Sequence, residues 1–149
     1  IPVPLKGTTI TLENEKLQIF GEVQGDASNS SYVWIPSLNA VICGDIVYNG
    51  VFPWTLETTP AQRKDWIATL DKIASLNPSI VIGGHKKPEL SDDATSLQFV
   101  KDYLIYYDEA LSASQSSEEF QSKVKEKFPN LSLDIILKIA ADAVFAEKE

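Results

Sequence analysis

Two short apolar runs, Val41-Ile42-Cys43 and Ile80-Val81-Ile82, bracket a segment of helical periodicity, and this arrangement constrains the chain more than any other feature. Runs this short, rich in β-branched residues, read as strands rather than helices. The segment between them opens on Thr59-Pro60-Ala61-Gln62. Thr59 suits the N-cap, Pro60 the first helical position, and Gln62 completes a capping box. Trp66, Leu70 and Ile73 follow at i, i+4 and i+7, with Ile67 and Ala74 beside them, so one face is apolar. Asn77-Pro78 ends the helix, because proline disfavours helical geometry in the residue before it. Strand, helix and strand in this order predict a sheet with helices on its face.

Upstream, the chain reads as further strands. Thr8 to Glu13 alternates around Ile10 and Leu12, and Lys16 to Val23 sets Leu17, Ile19 and Val23 at a period of two, interrupted by Gly21. Ser31 to Pro36 contributes Tyr32, Val33, Trp34 and Ile35, and Pro36-Ser37-Leu38-Asn39 is turn chemistry that predicts a hairpin into the strand from Asn39 to Cys43. Downstream, the chain reads as helices. Ser91 is the expected cap of the first, with Asp92 and Asp93 in its first turn and Leu97, Val100, Leu104, Tyr107 and Leu111 as its stripe. Tyr103, Tyr106 and Tyr107 sit at helical spacing and predict packing between helices. Ser116-Ser117-Glu118-Glu119 reads as a second capping box, followed by Phe120, Val124 and Phe128 on one face. A last helix is expected from about Ser132, with Leu133, Ile136, Leu137, Ala140 and Val144 turned inward. The expected class is α/β: a sheet-and-helix unit over 1–90 and a helical extension over 91–149, packed on it.

Charge and cysteine usage exclude several functions. The net charge is −8, and the closest basic clusters are Lys86-Lys87 and Lys123, Lys125 and Lys127, the latter interleaved with Glu118, Glu119 and Glu126. Phosphate backbones are bound through Lys and Arg that displace counterions, so neither a nucleic acid nor an anionic membrane is an expected partner. Cys43 is the only cysteine and lies in an apolar run, which predicts a buried thiol and rules out an intrachain disulfide. No run approaches the roughly 18 apolar residues of a membrane span. The sequence begins at Ile1 and contains no Met, so Ile1 is not expected to be a native translation start.

Three strand ends carry groups capable of chemistry: Gly25-Asp26, Gly44-Asp45 and Gly84-His85. Functional groups in α/β proteins collect where loops leave a rigid sheet. Taken singly, each has an ordinary explanation, the aspartates as turn residues and the histidine as a surface residue. His85 is the only histidine. A catalytic zinc site takes three or more protein ligands, so Asp26, Asp45 and His85 suffice only if all three converge, and the set is poor in nitrogen.

The segment Ser31-Tyr-Val-Trp-Ile-Pro-Ser-Leu-Asn-Ala-Val-Ile-Cys-Gly-Asp45, followed by the Thr59–Leu76 helix and Ile80-Val-Ile-Gly-Gly-His85, resembles the metallo-β-lactamase-fold superfamily. The resemblance covers residues from about 8 to 90. It implies one sheet-plus-helix half, the C-terminal one, of an αββα sandwich. It matches Asp45 to the carboxylate that bridges two metals and His85 to the last histidine, a ligand of the second metal. Asp26 falls where the family has a histidine on the first metal, and the turn here reads Gly25-Asp26-Ala27. The family's His-X-His-X-Asp-His motif is absent from the chain.

The implied activity is metal-dependent hydrolysis, with zinc as one or two ions and a metal-bound hydroxide attacking an ester, lactone, amide or similar bond. The chain alone is then expected to be inactive, its partner being the N-terminal half of the fold. Tyr48, Phe52 and Trp54 follow Asp45 and could line a substrate mouth, or pack in the core. Two other readings stay open: a non-catalytic sandwich half that self-associates with another copy of the chain, and an iron-dependent oxidoreductase on the same fold.

Overall fold

The computed structural model describes residues 5–146. Five strands form one sheet in chain order: β1 (Thr9–Leu12), β2 (Glu15–Val23), β3 (Ser30–Ile35), β4 (Ala40–Asn49) and β5 (Ile80–Lys86). The first four are antiparallel neighbours, and β5 joins β4 in parallel through the helix α1 (Pro60–Ser75). The expected hairpin joins β3 to β4 through a single 3-10 turn, Pro36–Leu38, which Asn39 closes in the left-handed conformation. The capping box at Thr59 and Gln62 is present, and Asn77, with φ of 52°, follows the helix end.

Neighbouring rows of the sheet face opposite ways. One row pairs Gln18, Trp34, Val41 and Val81 across four strands, and the next pairs Ile19, Val33, Ile42 and Ile82. Trp34, Val41 and Val81 are buried beneath α1 and α2 (Thr95–Ser112). Ile42 and Ile82 are each 41% exposed, and Ile10, Leu12 and Ile80 are exposed with them. Among the described residues, that second face lies open.

The inner face is secured by Trp66, fully buried, whose Nε1–H donates to the Ile46 carbonyl at 2.8 Å. Arg63 on the same helix is also buried. Its Nε and Nη2 donate to Asp108 Oδ1 at 2.8 and 2.6 Å, Nη1 reaches the Thr58 carbonyl at 2.6 Å, and its guanidinium lies 5.0 Å from the Tyr107 ring centre. A charged residue satisfied on all sides is invisible to a search for apolar periodicity, so the sequence placed no core residue there.

The helices α2, α3 (Ser117–Lys127) and α4 (Asp134–Ala146) continue the same core, with Tyr103, Tyr107, Phe120, Val124 and Leu137 buried in it. Their starts differ from expectation. Ser91 does not cap α2. Asp93 Oδ1 instead accepts from the Thr95 backbone N–H and hydroxyl, a local turn that delays the helix to Thr95. Ser116 caps α3 as expected, but the reciprocal bond runs from the Gln115 N–H to Glu119, one residue outside the box. Leu133 is 45% exposed rather than inward, because it takes a φ of 67° before α4 begins. The link before α4 is tied back to the sheet unit by backbone bonds from Phe52 N–H to the Ser132 carbonyl and from Ser132 N–H to the Gly50 carbonyl, both 3.0 Å.

Candidate metal centre

β4 does not stop at Cys43, nor β5 at Ile82, as the apolar runs suggested. Both strands pass through their glycines with a bulge. The register pairs Gly44 with Gly83 and next pairs Tyr48 with His85, so Asp45, Ile46 and Val47 oppose Gly84 alone. Bulges of this kind re-aim side chains beside functional sites. Here the extra residues bring the Asp45 carboxylate up against the end of β5.

Glycine is required at that crossing. A Cβ at Gly84 would overlap Asp45 Oδ1, and one at Gly83 would overlap the Val47 carbonyl oxygen. The doubled glycine before the only histidine is thus a steric partner of Asp45, a signal present in the sequence whose purpose only the register discloses.

Asp45 Oδ1 and His85 Nε2 end 3.3 Å apart, with side chains 50% and 51% exposed. Two donors bound to one zinc at about 2.0–2.1 Å with a tetrahedral angle between them are separated by about 3.3 Å. The pair therefore fits two corners of a metal's coordination shell, one oxygen and one nitrogen. Among the described residues, no group of three or more His, Cys, Asp and Glu side chains is arranged to hold a metal ion.

Asp26 reaches the neighbourhood by a second irregularity. The β2–β3 register shifts between Phe20 and Val23, where Glu22 has a φ of 55°. The following loop is stitched by Gly25 N–H to the Ala27 carbonyl at 3.1 Å and by the Ser30 hydroxyl to the same carbonyl at 2.9 Å. Asp26 Oδ2 accepts a hydrogen bond from the Tyr48 hydroxyl at 2.9 Å. Burial raises the pKa of Asp26, the Tyr48 hydrogen bond opposes the rise, and the nearby Asp45 charge adds to it. The structure thus joins Asp45 to His85 directly and sets Asp26 beside them on Tyr48.

The three aromatics following Asp45 divide. Tyr48 and Phe52 are each 1% exposed, Tyr48 stacked on His85 with ring centres 5.3 Å apart and planes 18° apart, and Phe52 edge-on to Tyr103. Trp54 is only half-buried, at the edge of the core. Burial pushes the Tyr48 hydroxyl well above the usual phenol range, and the Asp26 carboxylate adds to that shift. Cys43 is buried and its thiol is pushed up to about 12 by desolvation, so it is not a nucleophile. Lys86 pairs with Asp92 at 2.8 Å and Lys87 donates to the Asn130 carbonyl at 2.7 Å, so both have structural partners.

A family model described as the metallo-beta-lactamase superfamily matches residues 1–85, up to and including the histidine. Among solved structures, a metallo-beta-lactamase family protein from Thermus thermophilus is similar over 99% of this chain and 50% of its own, at 20% identity and a TM-score of 0.64. A metallo-beta-lactamase from Pontibacter korlensis is similar over 67% of this chain and 46% of its own, at 15% identity and a TM-score of 0.56. The DIM-1 metallo-beta-lactamase exposed to ceftazidime is similar over 68% of this chain and 46% of its own, at 23% identity and a TM-score of 0.54. These likenesses show the fold. The chain spans about half the length of each of these structures. No curated protein matches it.

Proposed function

The chain belongs to the metallo-beta-lactamase superfamily, and from that premise we propose that it is the C-terminal portion of a metal-dependent hydrolase, with zinc as its metal. The observation that carries the proposal is the Asp45–His85 pair, two donors 3.3 Å apart at adjacent strand ends. A bound divalent cation supplies Lewis acidity and lowers the pKa of water, the chemistry needed to open an ester, lactone, amide or similar bond.

The chain's own residues do the rest. Asp45 and His85 would hold the ion, the carboxylate and the imidazole each offering one donor atom to it. Asp26 is the third candidate ligand, through oxygen. Gly84 keeps clear the space in which the Asp45 carboxylate sits. Trp54, the least buried of the three aromatics, is the candidate for contact with substrate.

Further ligands are proposed to come from outside this chain, because His85 is its only histidine. The open apolar row through Ile42 and Ile82 favours the same arrangement, since large exposed apolar patches mark interaction surfaces. The proposed partner is the N-terminal half of the same fold, with a second copy of the chain as the alternative. The chain by itself is then inactive or nearly so. The test is hydrolysis of a panel of esters, lactones and β-lactams by the zinc-loaded protein together with its N-terminal half. Asp45→Asn and His85→Ala should each lower the rate by at least about 100-fold, given the role of such ligands. Wild-type rates in both variants would remove the proposal, and iron in place of zinc on metal analysis would redirect it to redox chemistry.

A further inference from the structure

Resting on the reading of Asp26 and His85 as metal-site residues, we infer that Tyr48 is the positioning residue of the centre: one buried side chain holds both of them in orientation. The two contacts use different parts of one side chain. The hydroxyl donates to Asp26 Oδ2 at 2.9 Å, and the ring lies face-on to the His85 imidazole at 5.3 Å. Tyr48 itself has almost no freedom. It is 1% exposed, its backbone pairs with that of His85 across β4 and β5, and its ring packs 6.3 Å from that of Trp66, which is bonded to the Ile46 carbonyl.

The arrangement has a chemical consequence. A carboxylate with both oxygens free can bind an ion through one or both. With Oδ2 held by a buried phenol and the carboxylate also accepting from the Ala27 backbone N–H, the orientation of Asp26 is fixed, and an ion bound there would meet the carboxylate in that orientation. Groups that orient ligands in this way fix both direction and basicity. The hydroxyl and the ring are separable by substitution. Tyr48→Phe releases Asp26 and keeps the stack on His85, whereas Tyr48→Leu removes both.

The test needs no metal and is read by nuclear magnetic resonance on the full chain, in which His85 supplies the only imidazole signals. The ring current of a tyrosine stacked 5.3 Å from the imidazole displaces its ring-proton resonances, so in the wild type these protons should resonate away from the free-histidine position. Tyr48→Leu should return them toward the free position, and Tyr48→Phe should leave them in place. The Asp26 side-chain carboxyl carbon should move in Tyr48→Phe, while the backbone amide spectrum away from the site stays unchanged. Wild-type His85 protons at the free-histidine position would overturn the inference without any substitution, even if Tyr48→Leu does not fold. An Asp26 carboxyl signal identical in wild type and Tyr48→Phe would overturn it as well. Failure of these contacts would leave the hydrolase proposal standing. Intact contacts in a protein that takes up no metal when joined with its N-terminal half would overturn both the proposal and the inference, because Tyr48 would then position no metal centre.

Discussion

The two faces of the sheet carry nearly the same residues and meet different fates. Val81 and Ile82 are neighbours on β5, yet Val81 is buried under the helices and Ile82 is 41% exposed. The same holds for Val41 and Ile42 on β4. A strand with one wet face alternates apolar and polar residues, whereas one covered on both faces is apolar throughout. β4 and β5 follow the second pattern, and α1 and α2 cover only one side of them. The apolar runs of β4 and β5 thus have the composition of strands covered on both faces. The candidate metal centre, at the bulge between β4 and β5, has both its side chains about half exposed.

The largest effect is expected on the covered side. Trp66→Ala should cost about 3–5 kcal/mol in a urea titration, because it leaves a cavity and orphans the Ile46 carbonyl. A cost near zero would mean that α1 does not anchor the inner face. The pair at the centre of the comparison comes next. Val81→Ala should cost about 2 kcal/mol, and Ile82→Ala less than about 1 kcal/mol in the isolated chain. Once the second face is covered, Ile82→Ala should become as costly as Val81→Ala. Equal costs in the isolated chain, with light scattering showing a monomer, would break the comparison.

Smaller effects belong to the β2–β3 irregularity and the loop that follows it. Glu22→Gly should stabilise the chain by about 0.5–1 kcal/mol, since a side chain at a φ of 55° is strained and glycine is not. The same denaturation titration reads it. Asp26→Asn keeps an acceptor for Tyr48 and removes a carboxylate whose pKa is raised by burial. A raised pKa means that the folded chain holds the proton more tightly than the unfolded one, so wild-type stability falls as pH rises from 3.8 through the raised value. The variant should therefore be the more stable at pH 7, and its advantage should disappear below pH 3.8. A difference independent of pH would show that Asp26 does not carry this strain.

Much of this was legible in local chemistry. Thr59 and Gln62 announce α1, Pro36 and Asn39 announce the hairpin, and the runs Val41-Ile42-Cys43 and Ile80-Val81-Ile82 announce the parallel pair. Each signal acts within a few residues, where capping, turn and strand preferences operate. What escaped depends on groups far apart in the chain. Arg63 is buried because Asp108 and Thr58 satisfy it, and the paired glycines matter because Asp45 crosses them. Tyr48 reads as a mouth aromatic until its hydroxyl is seen on Asp26 and its ring on His85. Asp45 and His85 were identifiable as residues, while their separation follows from a bulge that no local pattern encodes.

Whether Asp45 and His85 hold one ion between them is best decided by a zinc titration followed at the imidazole nitrogens of His85. Zinc should shift the Nε2 resonance, Asp45→Ala should abolish the shift, and acidification should reverse it, because only the neutral imidazole ligates. An Nε2 resonance that zinc leaves unmoved, or moves equally without Asp45, would contradict the shared site.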